Sequence, residues 1–450
     1  MQSPWTNGRE RAQSSARRLV AILLRAGLLL LTLILGFVFG AANYPVAMDL
    51  AATLQLSFLQ LRNKSASGNW FPARFKHSGV RLYDAARTQP GYTLYTLAPD
   101  LSAHLIDMNG LELHRWSLSR NEVMPRAAME ARTLFGAFEP QVETGHLFPN
   151  GDLLLIYEQK AVGASDTLLV KLDMNSHILW KTQAKVHHAV EVAGDKIYAL
   201  TSKTTPPTAD IPSLAGMPVI NESLSILAAD GVALSTHSIL DAMANAKGMR
   251  LIDTIPFSDR IDPLHSNSLD VLTEQTAHFV PGAKPGDVLL SLRNLDMLVV
   301  LDTETDTIVW ALRGGWRRQH DAKMLPNGHI LLFDNQGDLT GSGRSRVLEI
   351  LPATGAIVWS FSGTDDDPLD SEIRGGAQRI AGGNTLISES TSGRILEVTP
   401  NGSIAWEYVD PLVAVENGQS LVASLGLTVT RYDPSYVSFL DDKHRLQAAR

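Results

Sequence analysis

Apolar residues in this chain come in short blocks, not in helical stripes. "LLVKLDMNSHILWKT", "MLVVLDTETDTIVWAL", "RVLEILPATGAIVWSF" and "RILEVTPNGSIAWEY" share one layout. Each is an apolar strand, a turn of Asp, Asn, Thr or Gly, and a second strand ending in tryptophan. The tryptophans are Trp180, Trp310, Trp359 and Trp406, and a shorter copy, "LIDMNGLELHRWSL", ends at Trp116. A second hairpin recurs ahead of these as "HLFPNGDLLLIYE", "HDAKMLPNGHILLFD" and "QRIAGGNTLISES".

Two hairpins make four strands. A four-stranded unit recurring at intervals close to 50 residues predicts a β-propeller, whose blades bury their faces against neighbours. Unit starts fall at "LYTLAPDLSAHLIDMNG", "TGHLFPNG", "HHAVEVAGDKIYAL", "HSNSLDVL", "QHDAKMLPNG" and "GGAQRIAGGN". The expected fold is therefore all-β, a six-bladed β-propeller over 79–450. "SLGLTVTRYDP" is expected to return and complete the first blade, because an open ring would leave an unpaired edge. "TSKTTPPTADIPSLAGMPVI" and "DAMANAKGMRLIDTIPFSDRID" read as excursions in and after the third unit.

In such a ring the first strand of each blade lines a central channel. Aligned on "HDAKML", His320 matches His188, Asn267, Glu143 and Gly376, with His265 two residues before Asn267. A lone histidine at a strand start is usually capped or solvated, but three at one repeat position argue against accident. Three histidines could hold zinc. No pair has ligand spacing, however, and the adjacent His187 and His188 should point apart on a strand. No metal or cofactor is expected. Trp316, Arg317 and Arg318 precede His320 on the rim, as readily solvated as functional. "DVLLSLRNLDMLVVLD" sets Arg293 inside an apolar strand, where it needs either a paired carboxylate or a bound anion. Those two readings stay open.

The composition, 44% hydrophobic and 19% charged, is that of a folded globular chain. The head differs. No charge occurs from Ala26 to Met48, long enough to cross a bilayer, and five arginines against one glutamate precede it. That bias keeps an N-terminus in the cytoplasm. The expected order is a basic cytoplasmic segment (1–25), a transmembrane helix (26–48), a linker (49–78) and the propeller. The chain would be a single-pass inner-membrane protein with its propeller in the periplasm. Cleavage at "FGAAN", with Arg17-Arg18 as half of a twin-arginine signal, is the alternative; either way the body is exported. The whole chain carries a net charge of −8 and its head is basic, so the body is acidic. This argues against nucleic acid as a partner. Cysteine is absent, which excludes disulfides and thiol chemistry.

With "GYTLYTL…LIDMNG", "DPLHSNSLDVL", "LLSLRNLDMLVVLD", "RQHDAKMLPNGHILLFDN" and "GRILEVTPNGSIAWEY" in view, the chain resembles the arylsulfotransferase family. These bacterial enzymes move a sulfuryl group between phenols without a nucleotide donor. The resemblance implies a six-bladed propeller, an aryl sulfate donor, a phenolic acceptor and no cofactor. It implies that His320 accepts the sulfuryl group, that Arg293 binds it, and that His265 and Asn267 form a His-x-Asn pair. His188 would be the third pocket histidine. Departures are the missing cysteines, the absence of room for a separate N-terminal β-domain, and Gly376, Ala377 and Gln378 at the closing blade's pocket position. The family's dimer contact is not implied here. Two other readings compete: a non-catalytic propeller that binds an anionic ligand or partner protein, and a quinone-dependent dehydrogenase, for which calcium-binding acidic residues are not evident.

Overall fold

A computed structural model describes residues 69–440 apart from 124–139, 162–163, 183, 206–210, 212–213, 215–218, 247–260, 336–343, 417 and 428. The apolar run 26–48 lies outside the described residues. The chain separates into two units, Met1–Lys64 and Ser65–Arg450, and the described residues all belong to the second.

The second unit is all-β and propeller-like. Among the described residues there are six antiparallel sheets of four or five strands and one of three. The first sheet runs Thr430–Tyr432, Tyr92–Leu97, Ser102–Ile106, Glu112–Ser117. The second runs Gln141–Leu147, Leu153–Ala161, Ala164–Leu172, Ile178–Thr182. The third begins with Val186–Ala193, the fourth with Ser266–Val271, the fifth with His320–Met324 and the sixth with Gly376–Arg379. From the second sheet on, each first strand lies at a unit start quoted above; in the first sheet the unit start falls on the second strand, Tyr92–Leu97.

The apolar blocks exist because the middle strands are buried on both faces, which gives continuous runs in place of alternation. In Leu153–Ala161, Leu153 and Leu155 face a core shared with the first sheet, while Leu154 and Ile156 face one shared with the third. The same division repeats: Ile330 and Leu332 pack toward the fourth sheet, Leu331 and Phe333 toward the sixth. A fifth cluster joins Leu200 and Leu224 of the third sheet to Leu290 and Val299 of the fourth, and a sixth joins Leu386, Ile395 and Trp406 of the sixth sheet to Tyr95, Leu97 and Ile106 of the first. The recurring tryptophans have a shared cause. The indole N–H of Trp116, Trp180, Trp359 and Trp406 donates to Gly151, Ala229, Pro400 and Met108 O respectively, each in a turn of the following sheet. Each tryptophan thus clamps its neighbour, and Trp116 and Trp406 also bury a large apolar ring.

The returning strand Thr430–Tyr432 pairs with Tyr92–Leu97, as its sequence suggested. Its Arg431 is buried and latched to Thr93 Oγ1 and Glu397 Oε2 at 2.7 and 3.0 Å. The linker range 49–78 needs correction, because Trp70–Pro72 is a strand that pairs with Gln419–Ala423 in the three-stranded sheet. Three residues without periodicity carry no strand signal by themselves.

Candidate functional site at the inner strand starts

His320 opens the first strand of the fifth sheet and is 4% exposed. It shares a cavity of about 440 Å³ with His188 and Asn267. His265 stands edge-on to His188, ring centroids 4.9 Å apart, and its carbonyl accepts from the Arg293 backbone N–H. All five residues singled out in the sequence therefore belong to one neighbourhood, with His265 and Arg293 outside the cavity lining.

Several expectations change. Arg293 is not inside a strand; it starts a 3-10 turn, Arg293–Leu295, directly after Val288–Leu292. That turn frees the side chain from the buried sheet. His187 and His188 do not point apart. His188 sits at φ 58° in a bulge between Val186 and Val190, which breaks strand alternation and brings the two Nδ1 atoms to 2.9 Å. His265 is likewise left-handed at φ 49°, a conformation that costs energy outside glycine and recurs at functional positions. Trp316 is buried, not on a solvated rim. Glu143, aligned with His320, joins Arg374 and Gln141 in a buried cluster away from the cavity.

Residues the sequence reading passed over complete the site. Asn335 donates from Nδ2 to the carbonyls of Ser371 and Arg374, so its Oδ1 must accept from His320 Nδ1, 2.6 Å away. The neutral ring then carries its proton on Nδ1 and its lone pair on Nε2. Burial lowers the His320 pKa to about 3, helped by the Arg293 charge and opposed by Asn335 and the Arg318 carbonyl. Asp262 accepts from His265 Nδ1 at 2.5 Å. Burial would raise that carboxyl, but the charge and hydrogen bond of His265 hold it below the usual range. Behind His187, burial and the Asp262 charge push Glu222 well up. Asn294 Oδ1 accepts from both Arg293 and Arg318, at 2.9 and 2.7 Å, gathering two guanidinium groups. Asn267 gives an amide hydrogen to Gln319 O at 2.7 Å, and its Oδ1 has no partner among the described residues. Asp262, three residues before His265, was the one signal in the sequence for this outer layer.

A buried neutral imidazole has a stability signature. The unfolded chain takes up a proton near pH 6.5, whereas folded His320 resists until about pH 3. Between those values the unfolded state binds more protons, so stability falls as pH drops. From pH 7.5 to pH 5, denaturant unfolding is expected to show wild type losing about 2 kcal/mol more than His320→Asn. Equal losses would mean that His320 titrates normally.

The site thus defines a class: a propeller-like β protein with a histidine-, arginine- and amide-lined centre at the starts of its inner strands. Residues 243–410 match the model of the arylsulfotransferase (ASST) family. That span holds His265, Asn267, Arg293, His320, Asn335 and Asp262, and over it the family resemblance is shown. No curated protein matches the chain. Among solved structures, a protein of unknown function from Bacteroides caccae is 10% identical, with 75% of this chain and 98% of that chain covered at a TM-score of 0.43. The WD40 β-propeller domain of Doa1 is 10% identical, with 80% and 96% covered at 0.38. Quinohemoprotein alcohol dehydrogenase from Comamonas testosteroni is 10% identical, with 80% and 73% covered at 0.40. Likenesses this faint carry no functional argument.

Proposed function

We propose that this chain is an aryl sulfate sulfotransferase working through a sulfohistidine. The observation that carries the reading is His320, neutral by burial and held with Nε2 unprotonated beside Arg293. Nε2 attacks sulfur as the bond from sulfur to the aryl oxygen breaks, and the donor leaves as its phenolate, which takes up a proton from water. The ring keeps its Nδ1 proton and becomes positively charged, so its hydrogen bond to Asn335 strengthens as the reaction proceeds. Charge on the three sulfuryl oxygens, as in phosphoryl transfer, is met by fixed cations; Arg293 and Arg318 supply two. The acceptor phenol then attacks sulfur, the N–S bond breaks, and His265 takes the phenol's proton. The Asp262 carboxylate behind His265 orients it as a general base.

The six shared cores support a six-bladed ring, and the uncharged run 26–48 supports a membrane tether with the propeller facing the periplasm. The partners are a small aryl sulfate and a phenol. The test is incubation of purified protein with an aryl sulfate and a phenol, followed by mass spectrometry after quenching with donor alone. Donor phenol release and a sulfuryl adduct on the His320 peptide are expected. A protein inert toward all aryl sulfates, yet binding them, would be a binding module.

Asn335 gives a subtler check. Asn335→Leu removes the acceptor that holds the tautomer, and kcat is expected to fall by about 10- to 100-fold, the scale for partners that orient functional imidazoles. Asn335→Asp keeps an acceptor and is expected to recover much of it. Equal activity of the leucine variant would show that Asn335 does not position His320.

A further inference from the structure

One register position recurs around the cavity. His146, Glu191, Asp270, Lys323, Gln378 and Thr430 pair with Leu154, Tyr198, Leu289, Leu331, Leu386 and Leu94, the second strands of their sheets. All six line the same cavity as His320. They form a polar layer, one residue from each sheet, further along the channel than the reacting histidine. His320 pairs with Phe333 and Lys323 with Leu331. The layers are therefore two partner residues apart, about 7 Å on a strand rising ~3.3 Å per residue. A ring with polar groups at both ends can therefore reach from one layer to the other, with His146 on the second sheet and His320 on the fifth.

The layer is not uniform. Lys323 Nζ reaches Glu191 Oε2 at 3.0 Å and the Leu269 carbonyl at 2.7 Å, with Asp270 at 3.5 Å. Those three charged residues satisfy one another. Gln378 is held by both of its amide atoms to the Arg431 backbone. His146 has no hydrogen-bond partner among the described residues, and its ring meets Phe148 in a T-shaped contact with centroids 5.0 Å apart. Burial lowers its pKa to about 4, with Glu191 opposing and the Lys323 charge assisting. A neutral imidazole offers one donor and one acceptor to whatever occupies the cavity. Burial raises Asp270 to about 7 and Asp321 to about 6, yet together with Glu191 they still outweigh the single Lys323 at neutral pH, so an anion at this depth would be repelled.

We propose that His146 is a specificity-determining residue that hydrogen-bonds an uncharged hydroxyl on the aryl group, across the ring from the reacting oxygen. The inference rests on the sulfotransferase reading for its orientation. The preferred phenols would then be those with a second hydroxyl para to the first. A partner left unsatisfied when that hydroxyl is missing is what lets a polar site discriminate.

The test compares benzene-1,4-diol with 4-methylphenol, which match in shape and differ in the remote hydroxyl. In wild type, kcat/KM with phenyl sulfate as donor is expected to favour the diol by about tenfold, the scale of one neutral hydrogen bond. His146→Phe is expected to abolish that preference, read as the ratio of the two kcat/KM values. His146→Gln, which keeps a donor and an acceptor, is expected to retain part of it. A wild type without preference, or a preference that survives His146→Phe, overturns the proposal. Calorimetric binding of the same two phenols is measured in parallel. If transfer is absent but the diol still binds more tightly through His146, the sulfotransferase reading fails and the inner layer stands. Equal binding with no transfer overturns both.

Discussion

His320→Asn is expected to abolish sulfuryl transfer. The amide has no nucleophilic nitrogen lone pair, so the covalent route closes whatever hydrogen bonds remain. Loss of a nucleophile that acts with its partners as one unit removes nearly all catalysis, on the order of 10⁴-fold or more, with a residue from binding and charge alone. His320→Ala should fail equally, but it carries a complication. His320 is buried and packed. The alanine variant opens a void and leaves Asn335 Oδ1 without its donor, so it should also lose stability. Activity must therefore be compared below the melting transition of each variant, with circular dichroism as the fold control. The sulfuryl adduct on the His320 peptide should disappear in both. Robust turnover by either variant would rule out the sulfohistidine route.

Arg293→Lys comes next in size. Lysine keeps the charge but not the planar fork that can grip two sulfuryl oxygens. It also loses the geometry by which Arg293 and Arg318 share Asn294. A loss of about 10²- to 10³-fold in kcat is expected, the cost of removing one oxyanion donor, with KM moving much less. A change confined to KM would instead assign Arg293 to ground-state binding. The Arg293 charge also lowers His320, and lysine retains that effect, so the pH–rate profile should hold its shape while its height drops.

Much of this architecture is legible in the sequence, for physical reasons. Strands buried on both faces must be apolar throughout, and each tryptophan must reach the next turn, so the repeat is written into residue type and spacing. Inner-strand starts must also recur, which is why His188, Asn267 and His320 could be aligned. What escaped depends on local departures from regularity. The bulge that turns His188 toward His187 leaves no compositional mark. Nor does the 3-10 turn that carries Arg293 out of its apolar run. Asn335 looks like an ordinary residue after a strand; its role depends on the carbonyls of Ser371 and Arg374, contributed by a segment more than thirty residues away. Outer-layer partners come from sequence-distant elements, and spacing says nothing about them.

The latch between Arg431 and Thr93 joins residues 338 positions apart. Until that strand is made, the first sheet lacks its inner member, and the cores it shares with the second and sixth sheets are incomplete. Pairing at such separation is slow to form, because a long loop must close before the contact gives anything back. During that wait, apolar strand edges are exposed to other copies. Yield should therefore depend on expression temperature and on a holding chaperone more steeply than the finished protein's resistance to denaturant would suggest.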